Sequence, residues 1–449
     1  MRVISLLMSL SILIGVGVYA QESVTLSLGQ AIELALQNNI SVIQAENNIS
    51  SAHGNVLAAY GNYLPTLSAS GGWNRNQSDR AGSSTQIVGG QVFTLPASFS
   101  VTNSFSTRLD LSYTLFDGFA REASFNRATS NAISVEQQSQ RTRQSIVYQM
   151  ESGYLNVLRK EQLVKVTEEN LKRSRRQLER ITESNRVGAL ALADVYRQQS
   201  QVAADELSLI NAQNDYDKAK ADLVALIGLD YSQEYHFSDP SISTVIDQNE
   251  INATTEKYKD VTALTQRALS SRPDYMSTKE AFHASESGVT AARSGYFPSV
   301  SASAGYGLSN PEFSRISDNK NISWGVNIRW NIFDAFQTNQ ALQSAIATKR
   351  NAEIALLQTE RSVSVEVKKA LLDLDAARKQ LDVTQKGLVS ATEDRRIAEE
   401  RYNLGAGTLL DLLVANAGFV NASANNVNAF YFYVITKRNF EYVLGERTY

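Results

Sequence analysis

Tyr63-Leu64-Pro65-Thr66-Leu67-Ser68-Ala69-Ser70 returns at an offset of 233 (63 to 296) as Tyr296-Phe297-Pro298-Ser299-Val300-Ser301-Ala302-Ser303. Leu115-Phe116-Asp117-Gly118-Phe119 returns at an offset of 217 (115 to 332) as Ile332-Phe333-Asp334-Ala335-Phe336. The second offset persists: Val187-Gly188-Ala189 matches Leu404-Gly405-Ala406, Asp194 matches Asp411, and Ile227-Gly228 matches Leu444-Gly445. A period this long means one large unit duplicated, not a solenoid of small repeats. The difference between the offsets falls between the two motifs, so one surface loop changed length.

All six prolines lie at 65, 96, 240, 273, 298 and 311, leaving 97–239 and 312–449 free of them. Proline breaks helix interiors, and both spans are rich in good helix formers. Met150, Val157, Val164, Leu171 and Leu178 are spaced by seven, and so are their partners Val367, Leu374, Leu381, Leu388 and Arg395. This is a coiled-coil seam in each copy, broken only at Arg395. The pattern predicts one helix from near Gly118 to Arg186 and a second from Ala335 to Asn403, each roughly 100 Å long at 1.5 Å per residue. Return helices should run to about Leu226 and Leu444. Shorter helices, Leu28–Gly61 and Val261–Gly295, precede the strand regions.

Between helices the period becomes two. In 107–116, Leu109, Leu111, Tyr113 and Leu115 alternate with Arg108, Asp110, Ser112 and Thr114. In 323–333, Trp324, Val326, Ile328, Trp330 and Ile332 alternate with polar residues or Gly. The runs starting at Leu67 and Val300 do the same. Each approaches the roughly ten residues of a tilted membrane strand, and Trp73, Trp324, Trp330 and Tyr113 suit aromatic girdles. An ordinary half-buried antiparallel sheet would show the same alternation. The polar segments Arg75–Ala97 and Ser309–Lys320 read as the loops joining the strand pairs.

Met1–Ala20, with Arg2 before an apolar run and a small-x-small end, reads as a secretory signal. That favours membrane strands over an ordinary sheet. Four strands cannot close a barrel, and open edges do not survive in lipid, so closure must come from several chains. The expected fold is a mixed membrane β-barrel and long α-helical coiled-coil barrel, four strands per chain, closed by trimerisation and internally duplicated. Its divisions are 1–20, signal; 21–228, first repeat; 229–260, linker; and 261–449, second repeat.

The absence of cysteine excludes thiol catalysis and a cysteine-attached lipid. A formal charge of −3 gives no basic excess for nucleic acid. His53, His236 and His283 are scattered without metal-ligand spacing. No catalytic, cofactor-binding or metal-binding set is expected, and so no enzyme. Gly405-Ala406-Gly407 lacks the third glycine and preceding strand of a dinucleotide loop. The basic run Lys172–Arg176 reads as a solvated helix face.

Together, the duplicated helix–Pro–strand motif, the Phe-Asp-Gly/Ala-Phe junctions and the two Val/Leu-Gly reversals resemble the outer membrane efflux protein family, the TolC-like exit ducts. The resemblance covers nearly the whole mature chain. It implies a homotrimer in outer membrane lipid, with a twelve-stranded barrel and a periplasmic helical tunnel. It also implies docking to a periplasmic adaptor and an inner-membrane transporter, in a tripartite efflux or type I secretion system. Carried over by position, the adaptor-docking tips are Arg186, Val187 and Gly188 with Tyr402, Asn403, Leu404 and Gly405. The periplasmic gate falls on Asp411 and its repeat partner Asp194; Val414 stands where the family often has a second acid. Two local readings stay open beside these. Gly188 and Gly405 suit helix C-caps, and Thr408-x-x-Asp411 suits a capping box. A non-transport coiled-coil rod of the envelope is the alternative function.

Overall fold

The computed structural model describes residues 24–95, 98–239, 258 and 260–446. The signal segment 1–20 and most of the 229–260 linker lie outside these residues. The elements in chain order are β1 (Val24–Leu26), α1 (Leu28–Asn38), α2 (Ile40–Gly61), β2 (Thr66–Arg80), β3 (Ser84–Val88), β4 (Gln91–Leu95), β5 (Ser98–Phe116), α3 (Ala120–Arg186), α4 (Leu192–Ile227) and β6 (Tyr235–Phe237). They continue with α5 (Val261–Ser271), α6 (Pro273–Arg293), β7 (Ser299–Asn310), β8 (Lys320–Arg329), α7 (Gln337–Asn403) and α8 (Leu409–Leu444).

Helices α3 and α7 each span 67 residues, and α4 and α8 each span 36. Their starts keep the 217 offset, 120 to 337 and 192 to 409. The seams explain their length. Met150, Val157, Val164 and Leu171 are buried, as are Val367, Leu374 and Leu381. Such a stripe draws its stability from packing rather than propensity. At the exceptional seam position, the Arg395 guanidinium lies 4.4 Å from the Phe419 ring centroid, with Arg173 on the same ring at 5.4 Å. A cation–π stack replaces the apolar contact there, and Arg173 departs from the solvated face expected of its run.

Two helices expected to be continuous are broken. Between α1 and α2, Asn39 is extended; its Oδ1 accepts the Ser41 N–H (2.9 Å) and its Nδ2 donates to the Leu226 carbonyl (3.0 Å). Between α5 and α6, Arg272 is extended because Pro273 disfavours a helical residue before it. Arg272 Nη1 donates to the Val443 carbonyl (3.3 Å), and Ser271 Oγ to that of Leu444 (2.7 Å). Asn39 and Arg272 differ by the 233 offset and their acceptors by 217. One joint is thus used twice, each time tying a break to the end of a return helix.

A four-stranded antiparallel sheet has the order β2-β5-β7-β8. Its register aligns Leu67, Leu111, Ala304 and Trp324 in one row, and Tyr113, Ala302 and Val326 in another. The alternate rows run Ser112, Ser303 and Gly325. One face carries an apolar band from Leu67 to Trp73 and across β5, β7 and β8, giving way to Arg75, Gln77 and Asp79 further along β2; the other is mostly small and polar. Trp73 stacks on Phe105 (6.3 Å), which meets Phe313 (5.6 Å), giving an aromatic cluster at one margin. The expected loop Arg75–Ala97 is largely ordered strand. Strand β2 runs on to Arg80, β5 starts at Ser98, and β3–β4 form a hairpin around Gly89-Gly90 (φ +62° and +81°). Strand β8 stops at Arg329, short of the expected Phe333, and Trp330 Nε1 instead donates to the Tyr296 carbonyl (3.2 Å).

At each sheet-to-helix junction two consecutive residues are left-handed: Gly118 and Phe119 (φ +67° and +73°), then Ala335 and Phe336 (φ +52° and +66°). The preceding aspartate caps the helix. Asp117 Oδ2 accepts the Arg121 N–H (3.1 Å) and Asp334 Oδ2 that of Thr338 (2.8 Å). Ala335 shows that a Cβ is tolerated at this backbone angle. Gly118 has a further constraint, since a Cβ there would meet Phe297 Cβ and the Ser294 carbonyl, both at 2.8 Å. Gly118→Ala is therefore expected to cost roughly 1–3 kcal/mol through overpacking, while Ala335→Gly is near neutral. Equal thermal midpoints for Gly118→Ala and wild type would refute the close-packing account.

Candidate functional site

The reversals of the two long hairpins share one construction. After α3, the Gly188 N–H donates to the Asn185 carbonyl (2.9 Å) and the Ala189 N–H to that of Ser184 (2.8 Å). After α7, Gly405 donates to Tyr402 (3.1 Å) and Ala406 to Arg401 (2.8 Å). Both are paired Schellman bonds closing on a left-handed glycine, with φ +78° at Gly188 and +72° at Gly405. The cap reading of both glycines holds. It presents Val187 (70% exposed) and Leu404 (83%) at the extreme end, where no local contact covers them. Arg186 and Asn403 are exposed beside them, and Arg186 pairs with Glu183 at 2.8 Å.

The tips come together. Ile181 of α3, Val195 of α4 and Leu409 of α8 form a small buried cluster, with Leu178, Leu190, Tyr402 and Leu413 packed on it. Tyr402 is the one predicted tip residue turned inward. Burial pushes its phenol up, the Asp194 carboxylate adds to that, and a hydrogen bond with Gln177 opposes it.

Asp194 and Asp411 occupy the same place, the first turn of α4 and of α8. There a carboxylate favours the helix dipole. Asp411 closes a full capping box. Thr408 donates from its N–H (3.0 Å) and its hydroxyl (2.8 Å) to Asp411 Oδ2, and the Asp411 N–H returns a bond to Thr408 Oγ1 (3.2 Å). Those bonds hold the Asp411 carboxyl below the usual carboxylate range. Asp194 pairs with Arg197 (2.9 Å). The two acids differ in freedom. Asp411 is exposed, while Asp194 is half-buried and its charge is matched.

Above the tips a cleft of about 660 Å³ lies between the hairpins, lined in part by Arg173, Gln177, Gln198, Asp205 and Asn416. Gln198 is 1% exposed and its Nε2 donates to the Ser174 carbonyl (3.0 Å). Sequence reasoning missed this buried polar seam because Gln and Asp on a long helix read as solvated. The histidines stay apart: His53 pairs with Glu136 (2.6 Å) and His283 with Glu286 (3.2 Å). Among the described residues no group of three potential ligands forms a metal cluster, and no helix is long and apolar enough to cross a membrane.

Comparison with known proteins gives a consistent result. The family model described as outer membrane efflux protein matches residues 31–229 and 264–446. The chain is 23% identical over 357 residues to the outer membrane protein TolC of Escherichia coli K12, covering 77% of this chain and 70% of that protein. It is 24% identical over 402 residues to the probable efflux pump outer membrane protein TtgC of Pseudomonas putida, covering 88% and 78%. Among solved structures, the outer membrane protein VceC of Vibrio cholerae superposes with a TM-score of 0.76 at 20% identity, over 93% of this chain and 96% of that one. The open state of the MtrE outer membrane channel of Neisseria gonorrhoeae gives 0.73 at 19% identity, over 93% and 88%.

Proposed function

This chain belongs to the outer membrane efflux protein family, and from that premise we propose that three copies close into a passive duct through which solutes leave the periplasm. The observation that carries the reading is the sheet: four strands, an apolar band along one face, and two unpaired edges at β2 and β8. Unpaired strand edges are not tolerated in lipid. Joining β8 of one copy to β2 of the next satisfies them, and three copies give twelve strands, enough to leave a lumen. The helices support the same ring. Leu192, Tyr196, Leu207 and Ile210 on α4 are exposed, as are Ile354, Val365, Leu372 and Val383 on α7. Two different uncovered stripes on one chain suit a head-to-tail contact that closes by rotation.

The exposed Val187 and Leu404 at the tips suit docking of a periplasmic adaptor, which links the duct to an inner-membrane transporter and opens it. A protein-secretion duct would use the same surfaces. Light scattering on detergent-solubilised protein, corrected for bound detergent, should give a trimer, and planar bilayers should show channels. A monodisperse monomer, or a trimer without conductance, would leave the envelope-rod reading in its place.

Asp411 is proposed as the gate acid, with Asp194 secondary because Arg197 matches its charge. Three Asp411 carboxylates converging at the narrow end attract cations. Asp411→Ala should then weaken block by a trivalent cation added from the periplasmic side. The cap bonds lower the Asp411 pKa, whereas like charges converging in the ring raise one another's. Block should be lost on acidification as the ring protonates. Identical block curves for wild type and Asp411→Ala would leave Asp411 as a cap alone.

A further inference from the structure

The face of the sheet opposite its apolar one has a simple composition. By register it carries alternate residues of β2, β5, β7 and β8, beginning at Thr66, Ser98, Ser299 and Asn321. Apart from Phe116, which follows the bulge in β5, these residues are Ser, Thr, Asn or Gly with four exceptions: Arg80, Arg108, Asp110 and Arg329.

Two of the four cancel. Arg108 Nε donates to Asp110 Oδ1 at 2.6 Å. A Cβ on Gly305 would lie 3.1 Å from both Arg108 Nη2 and Asp110 Oδ1. The pair therefore lies folded across β7 in the space that glycine leaves, and contributes little net charge.

Arg80 and Arg329 remain, one at each end of the polar face. Strand β2 ends at Arg80, opposite Ser98; β8 ends at Arg329, opposite Ser299, where the chain emerges from the Pro298 turn. Arg329 is exposed, and among the described residues no carboxylate lies within ion-pair distance of it. Its counterpart at the 217 offset is Ser112, so each chain places one guanidinium at this end of the polar face, with Arg80 at the other.

We propose that Arg329 is a specificity-determining residue of the duct: three copies set a ring of unpaired guanidiniums at the inner mouth of the barrel, which concentrates multiply charged anionic solutes and disfavours cations of similar size. The inference rests on the trimeric duct proposed above. Rings of arginine in a small polar lumen select anions because they raise the local counter-ion concentration. The acids at the tips do not cancel them. The 67 residues of α7 separate the two levels by roughly 100 Å, against a Debye length of about 8 Å at physiological salt.

The test uses the full trimer in planar bilayers, with inorganic pyrophosphate added on the barrel side. Wild type should show concentration-dependent block. Arg329→Gln should raise the half-blocking concentration at least about threefold, Arg329→Lys should restore it, and block should fade in about 1 M salt. The side chain is exposed, so the variants should assemble, and light scattering checks this. An unblocked wild type, or block unchanged in Arg329→Gln, overturns the selectivity assignment while leaving the duct intact. Absence of any wild-type conductance overturns the duct itself, and the ring with it.

Discussion

Arg272→Ala should produce the largest loss of stability of any single change in the helical body, about 3–5 kcal/mol, as expected when one partner of a buried ion pair is removed. Arg272 is 3% exposed and binds three elements at once. Its Nε and Nη2 grip Asp274 of α6 (3.0 and 2.6 Å), and its Nη1 reaches Glu366 of α7 (2.7 Å) and the Val443 carbonyl of α8 (3.3 Å). Asp274 is shared with Arg141 of α3, 3.7 Å away. The Arg141 guanidinium lies 3.9 Å over the Tyr442 ring, which stacks on Tyr148.

Burial pushes the Asp274 carboxyl up, but the Arg272 hydrogen bonds and the two guanidinium charges more than offset it, and the net shift is downward. A depressed carboxyl contributes stability at neutral pH that is lost as pH falls through its folded-state value. Acidification below about pH 4 should therefore narrow the gap between wild type and Arg272→Ala. The double variant Arg272→Ala/Asp274→Ala should recover part of the loss, because it no longer strands a buried carboxylate. Additive losses in unfolding midpoint would show that the pair is not coupled.

Gly188→Val combined with Gly405→Val is expected to abolish adaptor cross-linking and efflux while the trimer still inserts. Nothing lies within 4 Å of a Cβ built on either glycine. The cost is therefore conformational, about 1–2 kcal/mol at each left-handed position and larger for a β-branched residue. Each tip would open its Schellman bonds and move Val187 or Leu404. The sheet, roughly 100 Å away along the helices, would not respond. Asn at both positions, which tolerates the left-handed region, should keep most activity. Full efflux by the Val variant, or equal loss with Asn, would sink the view that tip backbone shape governs docking.

Much of this fold is legible along the chain. The 217 offset, the proline-free spans and the heptads located the four long helices to within about two residues at most ends. Alternation identified all four strands of the sheet and both of its faces. These signals are local and periodic, so one chain carries them without knowledge of its neighbours. The tips were legible because a left-handed reversal strongly favours glycine.

The tertiary structure decided the rest. Asn39 ends a helix because its amide reaches Leu226, 187 residues away. Pro273 gave a local warning at Arg272, but not the three helices that converge there. Arg395 holds a seam position only because Phe419 comes to meet it from α8. Tyr402 turns inward because burial against Val195 and Leu409 outweighs exposure of its ring. Much of the apparent loop Arg75–Ala97 became strand because β2 pairs with β5 as far as Arg80 and β3 folds back on β4, where cross-strand bonds override a polar, turn-rich composition. In most of these cases the deciding partner is distant in sequence, and periodicity records which face a residue occupies but not what arrives to cover it.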